Sequence, residues 1–486
     1  MIKTKISIMY LFNVGISIFL MFGFKFLPPI GGLEEMGMAV VGIFFGMLYG
    51  WITCDYIWPC LLGIIALQLS GFDTMSGLLK TGFGDSVVVF VTLIFVYVIY
   101  LEKSGMCHRI ANFFLSRKII IGRPWLLITF IFLASFVMGF CTYLYSTAII
   151  MWAITYSICE EVGYKKGDKF IGLMVIGVEI ATFVGYSSLP IKSVAILALG
   201  LLESTTNGAY TISFLEYSAF MVPMCLLCTF IYIALMRFVF KADVSKLKAL
   251  DEASMKKYKM EKMNKYEKTA FLSLAAFIIM MCLPTLLPAD WFIAQLFKGW
   301  GMNGPLFIVI VVLTIMRFDG KAIFDFQTIA NSGNIGWVVI IMTACCFSLA
   351  TAVEADEVGI STLMLDFCTP IFQTLSPAAF ICIAFVVMAI ATQFMHNLVL
   401  CAVMTPLLVN IALAINVDPR LLTVLLVYAY SLALLTPAAS GFATMLFTND
   451  YAENSLIYKC VFIHFIVSTI IILATFVPLG IYVYGI

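Results

Sequence analysis

The fold expected for this chain is decided by the stretch Trp125–Cys159, which reads WLLITFIFLASFVMGFCTYLYSTAIIMWAITYSIC. A helix that spans a membrane needs about 20 apolar residues. This stretch is therefore too long for one span and too short for two spans joined by a loop. Its centre, Cys141–Thr147, is polar and marks a turn. The stretch predicts a re-entrant hairpin, in which two helices enter and leave on the same side of a membrane.

A second stretch of the same kind, Ala378–Ile415, lies in the other half of the chain. Its centre also carries polar residues, Thr392–Asn397, and it predicts a second hairpin. Polar side chains at the depth of the lipid are costly unless they line a cavity or face the protein interior. We therefore expect both hairpin tips to point into the molecule.

Each predicted hairpin is followed by an apolar span that Gly, Ser and Pro interrupt. Gly185–Pro190 breaks the span Phe170–Leu202, and Leu435–Gly441 breaks the span Leu421–Phe447. Proline and glycine leave backbone groups without helical partners. Freed carbonyls bind cations, and the N-termini of half-helices bind anions. Two tips and two breaks that meet near mid-membrane predict a site for an ion and an anion.

The composition is consistent with lipid as the solvent. Of 486 residues, 63% are hydrophobic and 11% are charged, and the formal net charge is +1. A soluble domain carries roughly a quarter of charged residues, and a nucleic-acid binder needs a basic excess. These values exclude a soluble enzyme, a disordered chain and a nucleic-acid partner. The sequence also lacks a P-loop, an HExxH motif and a metal-ligand cluster, so we expect no enzyme activity and no cofactor.

The expected fold class is an all-α polytopic membrane protein with about 11 transmembrane helices plus two re-entrant hairpins. The helices are predicted at Ile6–Phe26, Glu35–Trp51, Ile57–Leu69, Ser86–Leu101, Phe170–Leu202, Phe214–Phe240, Thr269–Leu286, Pro305–Met316, Ile335–Val353, Leu421–Phe447 and Ser455–Tyr484. The chain divides into an N-terminal transmembrane helix (1–34), a first repeat (35–240), a charged connector (241–268) and a second repeat (269–486).

Lys and Arg collect in cytoplasmic loops, and this rule predicts the orientation. With the N-terminus inside, the predicted inner segments contain Lys103, Arg109, Arg117, Lys118, Arg123, Lys165, Lys166 and Lys169. A predicted outer segment is acidic and contains Glu354, Asp356, Glu357 and Asp366. The connector is predicted to be an amphipathic helix on the cytoplasmic surface, and the C-terminus is predicted to be outside.

The two halves show the same order of elements: a span, a loop, a hairpin, an interrupted span and a long span. Because the loop before the hairpin is basic in one half and acidic in the other, we expect the two repeats to have inverted topology. Inverted repeats with broken helices are typical of secondary transporters, which bind substrate at the midplane. A channel or a membrane enzyme has no particular need of this arrangement.

At these residues the chain resembles the divalent anion:sodium symporter family of the ion transporter superfamily, as a divergent member. Gly333–Ile341 resembles the family's entry into the span before the second hairpin. Asn397 with Pro406 has the spacing of its hairpin signature, and Pro437–Ser440 with Phe447 resembles its second break. The resemblance implies transport of dicarboxylates by alternating access, sodium-coupled symport and a homodimer. We expect an integral protein of the bacterial cytoplasmic (inner) membrane.

The resemblance and the polar tips together nominate the site residues. The residues expected to bind substrate are Tyr145, Ser146, Thr147, Ser187, Ser188, Lys192, His396, Asn397 and Ser440. The residues expected to hold a sodium ion are Ser146, Gly185, Asn397, Thr436 and Ala439.

Three ionisable residues remain at membrane depth as coupling candidates, Glu179, Lys192 and His396. Lys192 either provides a fixed cation in the site or reaches toward one membrane face or a carboxylate. His396 either binds the substrate or bonds to the backbone at the turn. Glu179 pairs with Lys192, carries a proton or faces a vestibule. If Lys192 and His396 replace sodium, the protein is a sodium-independent anion exchanger; an ion channel is a further alternative.

Overall fold

The computed structural model describes residues 8–251, 258–332 and 335–486. Nearly all of this part of the chain is helical. The α-helices, labelled in chain order, are α1 (Ile8–Gly23), α2 (Glu35–Thr53), α3 (Ile57–Leu69), α4 (Met75–Gly82), α5 (Ser86–Lys103), α6 (Met106–Leu115), α7 (Pro124–Cys141), α8 (Leu144–Glu161), α9 (Lys169–Ser187), α10 (Ser193–Thr205), α11 (Phe214–Ala234), α12 (Lys265–Leu286), α13 (Phe292–Trp300), α14 (Asn303–Ile315), α15 (Phe326–Ala330), α16 (Trp337–Glu354), α17 (Ile360–Phe372), α18 (Pro377–Ala391), α19 (Asn397–Ala414), α20 (Pro419–Tyr430), α21 (Gly441–Phe447) and α22 (Asn454–Tyr484).

Short elements complete the architecture. Two strands, β1 (Arg317–Phe318) and β2 (Lys321–Ala322), form an antiparallel hairpin between α14 and α15. Short 3₁₀ turns occur at Phe24–Phe26, Lys118–Ile120 and Lys246–Ala249, and α11 ends in a π-helical turn at Leu235–Val239.

The all-α membrane fold is confirmed. Ten helices in the described ranges are long and apolar enough to cross a membrane, and the number becomes 11 if the bent pair α13–α14, with an angle of 90°, is one span. The membership of this set differs from the prediction, because it includes α7 and α19, which are arms of the predicted hairpins. Helix α3 has the predicted bounds Ile57–Leu69, but its 13 residues are too few to cross alone.

Helical hairpins form at both predicted positions. Helices α7 and α8 are joined by Thr142 and Tyr143, and helices α18 and α19 by Thr392–His396. The hairpin bounds agree with the predicted stretches to within two residues. The re-entrant path of the hairpins through the membrane stays a prediction.

The two interrupted spans lie at the centre of the fold. In the most apolar 18-residue stretch of α9, 94% of the residues are buried. Every residue of α20 from Leu421 to Tyr430 is buried as well. Helices that are apolar on all sides belong in the interior of a large protein. Helices α7, α8 and α11 pack on α9, and helices α18 and α19 pack on α20. Helix α10 also packs on α19, which joins the two halves.

The same order of helices occurs twice. Helices α5 and α6, the hairpin α7–α8, the broken pair α9–α10 and helix α11 follow one another in the first half. Helices α16 and α17, the hairpin α18–α19, the broken pair α20–α21 and helix α22 follow in the second half. The division of the chain into two repeats and their inverted orientation stay predictions.

The predicted connector helix is wrong for the part of the connector that is described. Residues 241–251 and 258–264 contain no α-helix and only 3₁₀ structure at Lys246–Ala249 and Tyr258, and residues 252–257 lie outside the described ranges. Helix α12 starts at Lys265, where Asn264 and Glu267 form a capping box. Arg109 of α6 forms an ion pair with Glu267 and donates a hydrogen bond to the Glu261 carbonyl. Tertiary contacts to α6 therefore hold the end of the connector.

Candidate functional site

The first hairpin tip is held by its own hydroxyl groups and by a lysine from the first break. The hydroxyls of Thr142 and Thr147 lie 2.7 Å apart, and both side chains are fully buried. The Nζ atom of Lys192 donates a hydrogen bond of 3.1 Å to the Thr142 carbonyl. The last carbonyls of a helix need partners from outside the helix. The ammonium group thus satisfies a backbone acceptor just beyond the end of α7.

The second hairpin tip is bonded to the second break. The backbone N–H of Asn397 donates to the Ala439 carbonyl at 3.0 Å, and its side-chain amide donates to the Tyr430 carbonyl at 3.3 Å. The amide of Gln393 donates to the Leu432 carbonyl and accepts from Leu435 N–H, both at 3.0 Å. These bonds satisfy backbone groups that the interruption of the helix frees, so tip and break form one unit.

Residues of the same unit include two predicted cation ligands. The hydroxyl of Thr436 donates to the Gln393 carbonyl, and the Ala439 carbonyl accepts the Asn397 N–H. Both groups therefore already have a partner within the protein.

The first break spans Ser188–Lys192, between α9 and α10. The Ser188 hydroxyl donates to the Gly185 carbonyl at 2.7 Å, and Tyr217 of α11 donates to the Ser187 carbonyl at 2.8 Å. A Cβ atom on Gly185 would lie 2.3 Å from the Phe136 carbonyl oxygen. Glycine at this position lets α9 pack closely on α7.

The second break spans Ser431–Ser440, between α20 and α21. The Ser440 hydroxyl accepts the Ala443 N–H at 3.0 Å and donates to the Ala433 carbonyl at 2.8 Å. Serine is a preferred N-cap residue because its oxygen satisfies a free N–H of the first helical turn. Ser440 thereby starts α21 and closes the loop of the break.

Both hairpin tips, the second break and the helix ends that flank the first break contribute to one cavity of about 370 Å³, the site cavity below. Its volume lies in the range of small-molecule sites. Aromatic and apolar side chains dominate the lining, and Trp337 and neighbouring residues of α16 close one part of it. The polar or phenolic lining residues are Tyr56, Tyr143, Tyr145, Tyr186, Ser187, His396, Asn397 and Ser440.

Several helix N-termini point their first residues at the site cavity, among them those of α8, α10 and α19. Tyr145 of α8, Val194 of α10 and Asn397 of α19 all line it within the first two helical positions. A helix N-terminus carries a partial positive charge and free N–H groups, which favour an anion. Among the described lining residues none is an Asp or a Glu. The local electrostatics therefore favour a small anion.

His396 contributes a further donor. Its Nδ1 atom accepts the Leu398 N–H at 3.3 Å as the N-cap of α19. With Nδ1 as the acceptor, the neutral imidazole carries its proton on Nε2. The ring packs on Tyr56, with 5.1 Å between ring centroids, and lines the cavity. The two roles considered for His396 are therefore compatible with each other. Its Nδ1 atom bonds to the backbone, and its Nε2–H is free to bind a ligand.

Lys192 is buried, with 4% of its surface exposed, but it does not line the site cavity. It borders a separate void of about 10 Å³, and its ammonium lies 5.4 Å from the centre of the Tyr186 ring. That void holds at most about one water molecule. In this conformation Lys192 supports the first tip and touches the site only through Tyr186.

Glu179 of α9 is fully buried, and neither carboxyl oxygen has a hydrogen-bond partner in the described structure. The predicted ion pair between Glu179 and Lys192 is therefore wrong, because Lys192 bonds to a backbone carbonyl. The predicted vestibule is absent as well, since Glu179 has no exposed surface. The hydroxyl of Thr182, one turn along α9, is also buried without a partner.

Five predicted substrate residues line the site cavity, and four do not. Tyr145, Ser187, His396, Asn397 and Ser440 line it. Ser146, Thr147, Ser188 and Lys192 lie behind this lining. The lining residues that were not nominated are in part sequence neighbours of nominated ones, and in part come from distant parts of the chain. Tyr56, which precedes α3, and Trp337, which begins α16, are examples.

The motif Gly333–Ile341 offered a sequence signal for some of these additional lining residues. Its residues Ile335–Val339 line the cavity, while Gly333 and Asn334 lie outside the described ranges. Gln393, which ties the second tip to its break, was visible in the polar stretch Thr392–Asn397 but was not nominated.

Comparisons with known proteins agree with this geometry. A model of the family described as "Citrate transporter" (CitMHS) matches residues 33–429, which is most of the chain. No curated protein sequence matches the chain.

Two solved transporters are similar in structure. The YdaH transporter of Alcanivorax borkumensis has a TM-score of 0.58 at 12% sequence identity, over 83% of this chain and 88% of that one. MtrF of Neisseria gonorrhoeae, described among antimetabolite efflux pumps, has a TM-score of 0.58 at 13% identity, over 98% of this chain and 95% of that one. At these identities the likeness concerns the fold.

Proposed function

Because this chain belongs to the citrate transporter family, we propose that it is a secondary active transporter that moves small organic anions, above all dicarboxylates, by alternating access. Membership confirms the predicted place in the ion transporter superfamily, and the protein is a transporter and not an enzyme. The observation that carries the proposal is the meeting of two hairpin tips, the second break and the helix ends beside the first break around one cavity.

The chemistry of the site cavity supports an anionic substrate. Three helix N-termini, the Nε2–H of His396 and several tyrosine hydroxyls supply donors, and no carboxylate of the described lining opposes them. Hydroxyl and N–H donors suit carboxylate oxygens. The family description adds citrate to the dicarboxylates as a substrate to test.

Sodium-coupled symport is the coupling that we propose first. The cation would lie beside Asn397, Thr436 and Ala439 at the second tip, and beside Ser146 and Gly185 at the first. Hard cations such as sodium prefer oxygen ligands, which backbone carbonyls supply in a cavity without carboxylates. The Ala439 carbonyl accepts one hydrogen bond and keeps a second lone pair, whereas the Gly185 carbonyl accepts both the N–H and the hydroxyl of Ser188 and would have to release one of them to bind a cation.

Sodium-independent exchange is the second candidate mode. The observation that favours it is the position of His396 at the site cavity, where the Nε2–H of the neutral imidazole can donate to a substrate carboxylate in place of sodium. In this mode the transporter returns to the other side of the membrane only with a second anion bound.

The setting of the transporter is also a proposal. Ten apolar helices and the family make it an integral membrane protein. We propose the bacterial inner membrane, with the N-terminus inside and the C-terminus outside, and a homodimer as the assembly.

Uptake into proteoliposomes tests the function. We expect labelled succinate, and citrate for comparison, to accumulate under an inward sodium gradient and to enter slowly when choline replaces sodium. Exchange would appear as sodium-independent uptake that requires unlabelled anion inside the vesicle.

A matched pair of variants completes the test. Asn397→Ala removes a lining amide and its bond to Tyr430, and should lower uptake strongly. The control Asn331→Ala changes an exposed asparagine before α16 and should leave uptake unchanged. Absence of carrier-mediated uptake of both acids under every gradient would contradict the proposal, as would single-channel currents in planar bilayers.

A further inference from the structure

A second cavity, of about 300 Å³, lies between helix α2, with the turn and loop that precede it, and the helices α16, α17 and α19. Its lining is apolar apart from two side chains, Ser361 and Asn410. It shares no lining residue with the site cavity, so it is a separate space. We call it the apolar cavity.

The apolar cavity is elongated from the middle of the fold toward the ends of its helices. Trp51, Cys346 and Ala402 line its deep end, and Leu33, which precedes α2, and Asn410, near the end of α19, line the other. Along α19, Ala402 and Asn410 are about 12 Å apart at 1.5 Å per residue. This shape suits a narrow, extended occupant; a helix, with a diameter of about 10–12 Å, does not fit the volume.

The cavity is continuous with the surface that faces the lipid. Phe45 and Ile30 line it and are also 47% and 51% exposed. In the neighbouring helix α1, only 11% of the residues in its 18-residue apolar stretch are buried. Nearly all of this helix therefore faces the surroundings of the protein. In a membrane protein those surroundings are acyl chains. Water does not fill an apolar space of this kind.

The two polar lining groups differ in their bonding. The Ser361 hydroxyl donates to the Val353 carbonyl at 3.1 Å. Asn410 is partly buried and has no hydrogen-bond partner in the described part of the chain. An amide in an apolar setting without a partner is unfavourable unless an occupant satisfies it. Asn410 lies at the end of the cavity where the ester groups of a lipid would lie.

We propose that the apolar cavity binds one acyl chain of a membrane phospholipid, whose ester carbonyl accepts a hydrogen bond from the Asn410 amide. Helix α19 then contacts the lipid along its C-terminal half and the site cavity with its first residues, Asn397 and Leu398. The bound chain fills the space between α19 and α2. It supports the position of the second hairpin tip.

Quenching by brominated lipid tests the proposal without any transport substrate. Trp51 lines the deep end of the cavity and is 3% exposed, so only a chain inside the cavity can reach it. The full-length protein is placed in vesicles of phosphatidylcholine with dibrominated or plain acyl chains. The difference in emission between wild type and Trp51→Phe isolates the Trp51 component. We expect bromine to reduce this component.

Two cavity-filling variants make the test specific. Ala350→Leu and Ala402→Leu each place a larger side chain in the cavity, and each should restore the Trp51 emission in brominated vesicles. The control Ala276→Leu adds the same bulk on an exposed face of α12 and should leave the quenching unchanged. Two variants are used so that misfolding of one leaves the other as the readout.

Each of the following results would overturn the proposal or one part of it. Equal quenching of wild type and Trp51→Phe would overturn the proposal, because no chain then reaches Trp51. Quenching of Trp51 that persists in every folded cavity-filling variant would also overturn it. Replacing Asn410 by Leu should lower the preference for ester-linked over ether-linked phospholipid, and an unchanged preference would overturn the role of the amide.

Discussion

Among single residues, Glu179 is distinguished by a carboxyl group without a partner. An ionised carboxylate in an apolar interior is far less favourable than the neutral acid. We therefore expect Glu179 to hold a proton in this conformation and to release it only when the surroundings of α9 change. Lys192 is also buried, but in contrast to Glu179 its charged group has a partner, because the ammonium donates a hydrogen bond to the Thr142 carbonyl at the first hairpin tip.

Glu179→Gln tests whether this carboxyl group couples proton movement to transport. The amide keeps the size and neutrality of the protonated acid, so we expect a folded protein whose uptake no longer depends on an inward proton gradient. The measurement is succinate or citrate uptake at a fixed external pH with internal pH varied. Glu354→Gln is the control, because Glu354 already accepts a hydrogen bond from Thr205 at 2.7 Å. An unaltered gradient dependence in Glu179→Gln would show that coupling lies elsewhere.

At the scale of elements, the contact between the first hairpin and helix α21 shapes the site cavity. The Tyr145 ring packs edge-on against Phe442, with centroids 5.9 Å apart. A Cβ atom on Gly441 would lie 2.5 Å from the Tyr145 hydroxyl oxygen. Glycine at the start of α21 thus permits the phenol of one repeat to reach the break of the other.

Gly441→Ala should displace Tyr145 and weaken substrate binding. We expect KM to rise about tenfold, equivalent to about 1.4 kcal/mol, with little change in thermal stability. The same substitution in a Tyr145→Phe background should have a much smaller effect, because the clashing hydroxyl is absent. Gly15→Ala in α1, where a Cβ atom has open space, is the matched control. An equal loss in both backgrounds would disprove the contact as the cause.

At the scale of the whole molecule, contacts between the two halves hold the described conformation together. Tyr156 of α8 stacks on Tyr451, which lies between α21 and α22, with ring centroids 3.9 Å apart. Lys166 and Asp450 form an ion pair of 2.9 Å beside this stack. These residues lie at the ends of helices, where the predicted orientation assigns them to the cytoplasmic side.

Labelling with a membrane-impermeant maleimide tests that orientation. Cysteine is introduced at Lys248 in the connector or at Asp356 between α16 and α17, both of which are exposed. The half-buried cysteines Cys54, Cys282 and Cys382 are first replaced by alanine. We expect Asp356→Cys to react in intact cells and Lys248→Cys only after permeabilisation. The reverse pattern would invert the topology, and reaction of both in intact cells would rule out the predicted crossings.

The hairpins and breaks could be predicted from the sequence because each is a local property. Trp125–Cys159 and Ala378–Ile415 have a length and a polar centre that specify two helices and a turn without reference to the rest of the chain. The connector helix was predicted by the same local rule and was wrong in its described part. A segment rich in charged residues tolerates many conformations. Contacts with α6 therefore determine the conformation at the end of the connector.

The sequence by itself determined the solvent, the helical class, the two hairpins and the places where helices break. The length of apolar runs and the positions of Gly, Pro and polar residues are sufficient for these features. Only the tertiary structure decided which residues face the site cavity. Tyr56 and Trp337 join it from distant elements, while Thr147 and Lys192 turn to bond within the first tip. The direction of a side chain depends on partners far away in the chain, and no local pattern encodes them.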